Sequence, residues 1–170
     1  MSLDGSSQLS ISLPGIEQLI EHLLHACQDA YGENLVSFCV FGSVARGVAT
    51  PESDLDLFIV ARNLPRGRLS RSENFERIEQ NALAAMAHPP PPTPVSPIIK
   101  TPEEVAFGSP LLWDMTENRL IRYDRDRFLW QTLEKVKLRL QQLGAYKVQR
   151  GSAWYWILKP DFKPGEVFEL

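Results

Sequence analysis

An apolar segment that ends abruptly at a glycine-serine pair is the sequence feature that most constrains the fold. Residues 35–41 (LVSFCVF) are rich in β-branched and aromatic side chains, which is typical of a buried β-strand. Gly42 and Ser43 follow at once, and a second strand-like segment, residues 54–61 (DLDLFIVA), begins after a turn at residues 50–53. The pattern predicts two strands of one sheet, with a tight glycine turn at the end of the first.

Helical patterns flank these strands. Residues 16–27 carry apolar side chains at helical spacing, and Gly32 ends the pattern. After the second strand, the polar residues 62–71 predict a loop, and residues 72–88 predict a helix with Ser72 as its N-cap. Because helices precede and follow the strands, we expect them to flank the sheet.

The middle of the chain continues this alternation. The prolines between residues 89 and 94 predict a stiff, extended connector. Residues 95–100 predict a third strand, which Pro97 confines to an edge or a strand end. Thr101 and Ser109 each precede a proline. An N-cap residue followed by proline at the first helical position indicates a helix start at both places. Two short helices are therefore expected after the third strand.

The last third of the chain combines a long helix with an aromatic segment. Residues 119–123 predict a short strand, and a helix over residues 127–143 is expected to be capped by Asp124 or Asp126. Residues 146–170 mix aromatic side chains with lysines and arginines. Such a mixture can stack on nucleic acid bases, but a β-hairpin that covers the long helix is the favoured interpretation.

These elements predict the fold class and its organisation. We expect an α/β (α+β) fold: a small mixed sheet flanked by helices, with a C-terminal helix and β-hairpin extension. Along the chain, residues 1–13 are expected to form a flexible tail and residues 14–106 the core. Residues 107–170 are expected to form the extension packed on that core.

The charge of the chain restricts its partners. The net charge is −3, from 18 basic and 21 acidic residues, so no general basic field indicates a nucleic acid partner. A local arginine cluster between residues 62 and 77 could meet a triphosphate or RNA, although a solvated surface is the favoured interpretation. Its members are Arg62, Arg66, Arg68, Arg71 and Arg77.

Cysteine usage and apolar run length indicate the compartment. Cys27 and Cys39 are predicted to be reduced, buried thiols, because no cysteine or histidine spacing typical of a metal site occurs. No apolar run is long enough to cross a membrane, and the first ten residues lack the pattern of a signal peptide. We therefore expect a cytoplasmic protein with no membrane partner.

The residues that can carry chemistry lie at the ends of the first two strands. Gly42 allows a close approach of the backbone to a ligand, and Ser43 adds a hydroxyl and an N–H, so this turn suits an anion. Asp54 and Asp56 are two residues apart on a strand and share one face. Two such close carboxylates repel each other unless a cation lies between them. Few, hard oxygen ligands suit Mg²⁺ that also binds phosphates.

An Asp-x-Asp pair by itself is more often a solvated strand end than a functional site. Here a functional site is favoured, because a Gly-Ser turn follows a buried strand and Ser43 lies eleven residues before Asp54. The patterns G-x-x-x-x-G-K-[ST] and G-x-G-x-x-G are absent, and Gly42-Ser43 is not a G-x-S-x-G nucleophile elbow. The residues therefore favour a metal and phosphate site over a hydrolase nucleophile.

Gly42-Ser43 and the pair Asp54 and Asp56, with apolar neighbours around both, resemble the signature of polymerase-beta-type nucleotidyltransferases. Arg46 and the glycine after it look like the minimal branch of that family. The resemblance implies the family's fold, with the triphosphate on Gly42 and Ser43. It also implies that Asp54 and Asp56 hold Mg²⁺, with Mn²⁺ as an alternative, and that Arg46 pairs with phosphate or braces the loop.

The same resemblance implies a reaction but leaves its acceptor open. A hydroxyl would attack the α-phosphate of a nucleoside triphosphate, with ATP among the candidates, take up the nucleoside monophosphate and release pyrophosphate. A small molecule, a protein side chain and an RNA end are all acceptable acceptors. A partner protein or a second copy of the chain is a further candidate partner.

One element of the family pattern is missing. Members of the family usually carry a third carboxylate on the next strand, but residues 93–100 (TPVSPIIK) contain no acid, and Ser96 is a candidate for its place. Glu103, Glu104 and Asp114 follow without matching the motif, so either one of them substitutes or the chemistry is weakened or lost. This gap supports a second hypothesis: a catalytically impaired relative that binds nucleotide or a partner protein, as an antitoxin-like module.

Overall fold

The computed structural model describes residues 15–151, 153–163 and 165–167. The expected tail at residues 1–13 lies outside the described residues. The described helices are α1 (Ile16–Tyr31), α2 (Gly42–Ala45), α3 (Arg68–Ala84), α4 (Pro102–Ala106), α5 (Pro110–Met115) and α6 (Phe128–Gln142). The described strands are β1 (Leu35–Phe41), β2 (Leu55–Ala61), β3 (Val95–Lys100), β4 (Leu120–Asp124), β5 (Tyr146–Arg150) and β6 (Ala153–Ile157).

Four of the strands form one mixed sheet in the order β3-β2-β1-β4. Strand β1 is antiparallel to both β2 and β4, whereas β2 and β3 are parallel. The two central strands are buried almost throughout, and the partly exposed Asp56 interrupts the burial of β2 near its start. The small mixed sheet flanked by helices is thus confirmed, and a polar residue lies at the end of its most apolar strands.

The helices cover both faces of this sheet. On one face, buried residues of α1 and α3 pack on Phe38, Val40 and alternate residues of β2. On the other face, α4, α5 and α6 pack on the opposite side chains, which include Phe58 and Val60. Asp56 shares the face of Phe58 and Val60 because side chains two residues apart on a strand point the same way. The core therefore fixes the direction of the Asp56 side chain.

The position of α3 corrects the sequence-based prediction. The helix begins at Arg68 and ends at Ala84, so the predicted N-cap at Ser72 is wrong. The predicted loop is present over residues 62–67 but ends before residue 71. Gly67, with a φ of 90°, is the N-cap, a conformation that glycine adopts at little cost. At the other end, the helix stops at Ala84, before the predicted end at residue 88, and non-helical residues lead to the proline run.

Asp124 fixes the start of the long helix, as one of the two predicted caps. Its carboxylate accepts hydrogen bonds from the backbone N–H groups of Leu129 and Trp130, each at 2.9 Å. It also accepts a 2.7 Å hydrogen bond from the buried Ser37 hydroxyl on β1. The end of β4 is thereby tied to both the central strand and α6.

The C-terminal part of the chain contributes to the sheet as well as extending it. Strand β4 lies beyond residue 106, in the expected extension, and yet pairs with β1 in the main sheet. The division of the chain into a core and an extension at residue 106 stays a prediction. Strands β5 and β6 form the expected hairpin as a separate two-stranded sheet. In the described part of the chain, no helix combines the length and apolar character that crossing a membrane requires.

Candidate active site

The turn after β1 lies in direct contact with a carboxylate on β2. Phe41 pairs with Asp56 across the two strands, and the next residue, Gly42, has a φ of 69°. A Cβ atom at Gly42 would lie 2.0 Å from Asp56 Oδ2 and 2.8 Å from its Cγ. Only a residue without a side chain fits there, so the glycine brings the Gly-Ser turn against the acid pair.

The two aspartates and Ser96 form one polar group. Asp54 immediately precedes β2 and is exposed, whereas Asp56 on the strand is half-buried. Ser96 on β3 is the register partner of Asp56, and its Oγ donates a 3.2 Å hydrogen bond to Asp54 Oδ2. The parallel pairing of β2 and β3 therefore places the Ser96 hydroxyl beside Asp54 and Asp56. Ser96 was the sequence-based candidate for the place of the third carboxylate.

The electrostatics of this group favour a bound cation. Burial and the neighbouring carboxylate of Asp54 both raise the pKa of Asp56, and the charge of Arg46 only partly offsets them. A cation between the two carboxylates would oppose both causes. The donors are carboxylate and hydroxyl oxygens, which suit Mg²⁺ better than a soft metal. Asp54 and Asp56 could therefore hold a divalent ion that completes its shell with water and phosphate oxygens.

The Gly-Ser turn continues into a single helical turn, α2. Hydrogen bonds from the Arg46 and Gly47 N–H groups to Gly42 and Val44, each 3.1 Å long, close this turn. The carbonyl of Ser43 accepts from Val48 N–H at 3.1 Å. Within the described chain the Ser43 hydroxyl has no hydrogen-bond partner, so it can bind a ligand without breaking an internal contact.

Arg46 directly follows α2, and its surroundings include a residue from the far end of the chain. Its Cζ lies 5.0 Å from the centre of the Trp154 ring on β6, within the range of a cation–π contact. Sequence reasoning identified Arg46 but missed Trp154 as its neighbour. The mixture of aromatic and basic residues in the C-terminal segment was the available signal, but it did not identify which of them reaches the site.

The other acids considered as substitutes do not join the pair. Glu104 forms an ion pair with Arg71 and a capping box with Thr101, and Asp114 accepts hydrogen bonds from two tryptophans. No group of three or more histidine, cysteine or acidic side chains that could hold a metal occurs among the described residues. Of the acids predicted as candidates, the structure brings only Asp54 and Asp56 together.

The arginine cluster splits into two kinds of residue. Arg71 is half-buried, donates to the carbonyl oxygens of Pro65 and Ile99, and bonds both carboxylate oxygens of Glu104. These contacts join α3, β3 and α4, so Arg71 supports the fold. The remaining members are exposed, as the solvated-surface interpretation predicts: Arg62, Arg66, Arg68 and Arg77.

Known proteins are similar to most of this chain. A family model described as the nucleotidyltransferase domain matches residues 20–112, more than half of the 170 residues. A protein of Methanocaldococcus jannaschii (strain ATCC 43067), whose name provisionally assigns it as a protein adenylyltransferase, is 28% identical over 141 residues. That match covers 82% of this chain and 92% of the relative.

Two solved structures are similar at lower identity. One is a structure of the tri-AMPylated Shewanella oneidensis HEPN toxin in complex with MNT antitoxin, at 13% identity and a TM-score of 0.47, covering 75% of this chain and 92% of that one. The other is a provisionally assigned nucleotidyltransferase from Sulfolobus solfataricus, at 19% identity and a TM-score of 0.40, covering 66% and 89%. Because both TM-scores are low, neither similarity bears on what this chain does.

Proposed function

The chain belongs to the nucleotidyltransferase domain family, and from this premise we propose that it transfers a nucleoside monophosphate from a nucleoside triphosphate to a hydroxyl group. The observation that carries the proposal is the contact between Gly42 and Asp56, where a Cβ atom would lie 2.0 Å from a carboxylate oxygen. A turn suited to phosphate is thereby held against a pair of acids suited to a cation. This combination fits a magnesium-bound triphosphate.

The residues of the turn would bind the triphosphate. The backbone N–H of Gly42 and the N–H and hydroxyl of Ser43 would donate to phosphate oxygens, and Arg46 would add a positive charge beside them. Asp54 and Asp56 would hold Mg²⁺, with Mn²⁺ as an alternative. When bound there, the metal neutralises negative charge on the phosphates as the reaction proceeds.

The reaction itself is a displacement at the α-phosphorus. The acceptor hydroxyl oxygen forms a bond to this phosphorus, the bond to the oxygen that bridges to the β-phosphate breaks, and pyrophosphate leaves with the electron pair of that bond. The hydroxyl would lose its proton to solvent water in the same process. Ser96 is not a base at neutral pH, so this chain would position the reactants and would supply less proton transfer than a third carboxylate.

The acceptor that we propose is a protein hydroxyl, and the nucleotide is ATP. Support comes from the relative named as a protein adenylyltransferase, which aligns with 82% of this chain. Asp54 is exposed, so the acid pair can be reached from solvent. This suits a large acceptor, because a protein side chain must reach the α-phosphate from solvent.

A second candidate function has one observation in its favour. The position beside Asp54 and opposite Asp56 holds Ser96 and not an acid, which would slow transfer more than it would weaken nucleotide binding. The alternative is therefore a nucleotide-binding module that acts through a partner protein. It predicts tight binding of Mg²⁺ and ATP together with little or no transfer.

Transfer of label from ATP tests the proposal. The purified protein is incubated with Mg²⁺, a lysate that supplies candidate acceptors, and ATP labelled at either the α- or the γ-phosphate. We expect more protein-bound label from α-labelled ATP with the wild type than with the double variant Asp54→Asn/Asp56→Asn, and equal γ-label with the two, because kinases of the lysate transfer the γ-phosphate in both. Label from the γ-phosphate that depends on the wild type would indicate a kinase, and ATP binding without wild-type-dependent label would favour the second candidate.

A further inference from the structure

The C-terminal hairpin presents one face to the rest of the molecule. In the β5–β6 pairing, Lys147 lies opposite Trp156 and Gln149 lies opposite Trp154. Side chains at these alternate positions point to the same face of a two-stranded sheet. The two tryptophans and Lys147 are therefore carried together on one side of the hairpin.

Asp114 on α5 anchors this face, and Glu117 adds an ion pair with Lys147, at 2.6 Å between Oε2 and Nζ. The indole N–H groups of Trp154 and Trp156 both donate to Asp114 Oδ1 at 3.0 Å, and Lys147 Nζ lies 3.1 Å from the same oxygen. Burial raises the pKa of Asp114, but the bonds from Trp156, Lys147 and Trp154 outweigh it and hold the pKa below its ordinary value. These charge-assisted bonds attach the hairpin at a defined position.

The helix that carries this anchor packs on the core. Leu112 and Met115 on α5 are 2% and 1% exposed and pack against the sheet. Asp114 lies between them on the same short helix, so its carboxylate is held in place by their burial. The position of the Trp154 ring therefore follows from the core through α5.

The Trp154 ring meets Arg46 at the other end of this chain of contacts. Within the described residues no carboxylate lies within ion-pair distance of Arg46. Its guanidinium lies over the Trp154 ring, with Cζ 5.0 Å from the ring centre. An arginine side chain without such a contact samples many rotamers. The ring restricts it while leaving the guanidinium N–H groups available.

We propose that Trp154 is a positioning residue for Arg46, and that the C-terminal hairpin is therefore part of the nucleotide site. The inference rests on the proposed function, in which Arg46 pairs with phosphate. An arginine held in place before the ligand arrives loses less entropy on binding it. The hairpin would thus raise the affinity for the triphosphate without touching it.

The structure offers a matched control for this contact. Trp130 on α6 is 39% exposed, against 38% for Trp154, and its ring lies 3.9 Å from Arg127 Cζ. This second arginine–tryptophan pair has similar exposure and involves no residue of the proposed site. Trp154 differs from Trp130 in that it also donates to Asp114 and lies 5.4 Å from Lys147 Nζ. A difference between the two alanine variants is therefore assigned to Arg46 only with the Arg46→Ala background as a second control.

Calorimetric titration with ATP and Mg²⁺ tests the inference on wild type, Trp154→Ala, Trp154→Phe, Trp130→Ala, Arg46→Ala and the double variant Arg46→Ala/Trp154→Ala. We expect Trp154→Ala to weaken binding about three- to fivefold, in line with the strength of an exposed cation–π contact. Trp154→Phe, which keeps a ring face, should recover part of the loss. Trp130→Ala should bind as wild type does.

The double variant separates positioning from a general structural effect. If Trp154 acts through Arg46, adding Trp154→Ala to Arg46→Ala weakens binding no further. An equal loss in both backgrounds, wild-type affinity of Trp154→Ala, or an equal loss in Trp130→Ala overturns the inference and leaves the proposed function intact. No binding by the wild type overturns both.

Discussion

Two half-buried arginines in this protein have opposite surroundings. Arg71 bonds both carboxylate oxygens of Glu104, at 2.7 and 3.0 Å, and two backbone carbonyls. Arg46 lies against the Trp154 ring and has no carboxylate at ion-pair distance in the described part of the chain. The first arginine is neutralised by the fold, whereas the second keeps its charge available.

The acids show the same contrast. Glu104 is neutralised by Arg71, which holds the pKa of its carboxyl at about 2. Asp56 forms no ion pair in the described part of the chain. Burial and the charge of Asp54 raise its pKa more than the charge of Arg46 lowers it. Charges that are compensated internally join elements of the fold. Charges that are left uncompensated at the ends of β1 and β2 are suited to a ligand that carries both a cation and phosphates.

The largest effect is expected from a substitution that disrupts the contact between Gly42 and Asp56. Gly42→Ala combines a Cβ 2.0 Å from Asp56 Oδ2 with a φ of 69°, and we expect a loss of about 2–4 kcal/mol in the free energy of unfolding. Nucleotide binding should be lost with it. Chemical denaturation and calorimetry would measure the two effects.

Gly108 provides the matched control for this substitution. Its φ is 77°, and a Cβ there would meet nothing within 4 Å. Gly108→Ala should therefore cost about 1–2 kcal/mol, the backbone strain alone, and leave ATP binding unchanged. Equal destabilisation by the two variants would mean that the Asp56 contact contributes nothing.

An acid introduced at Ser96 on β3 tests whether this position is that of a missing catalytic carboxylate. Ser96 is the register partner of Asp56, and its hydroxyl donates to Asp54. Ser96→Asp adds a carboxylate that can accept the proton of the attacking hydroxyl, and we expect transfer to rise by roughly tenfold or more. The stability of the metal-free protein should fall, because three close carboxylates repel one another.

Ser96→Asn is the uncharged control of nearly the same shape. It should lack the gain in transfer and the loss of metal-free stability. Quantitative label transfer and thermal unfolding with and without Mg²⁺ would compare the variants. Transfer by Ser96→Asp at or below the wild-type rate would argue against Ser96 occupying the position of a missing catalytic acid.

The smallest effect is a pH dependence at the compensated pair. The hydrogen bonds from Arg71 lower the pKa of Glu104 from 4.5 to about 2 in the folded protein. Because the folded pKa is depressed, the stabilisation is fully present above the unfolded value and is lost as the pH falls from about 4.5 towards 2. Denaturant titrations across this range should show a shallower fall in stability for both Glu104→Gln and Arg71→Met. An unchanged slope in both variants would contradict the assignment.

The sequence predicts most of the fold because its signals are local. The apolar run at residues 35–41 and the Asp54-x-Asp56 pattern specify two adjacent strands and the direction of two carboxylates. The start of α3 was mispredicted because the helix begins at Arg68, directly after Gly67, and incorporates polar residues that resemble a loop. Local composition does not distinguish a polar helix from a polar loop.

Contacts between distant segments of the chain could not be predicted from the sequence. Ser96 was a candidate for the third position, but only the parallel register of β2 and β3 places it beside Asp54. Trp154 approaches Arg46 because Asp114 holds the hairpin, and no periodicity links three segments so far apart. Predicting such contacts requires knowledge of the packing.

The most direct test of the central claim is calorimetric binding of ATP, with and without Mg²⁺, to wild type and to Asp54→Asn/Asp56→Asn. We expect the wild type to bind ATP only when Mg²⁺ is present, and the double variant to bind none under either condition. Wild-type binding that is indifferent to Mg²⁺, or binding that survives in the double variant, would contradict a metal–triphosphate site built on Gly42, Asp54 and Asp56.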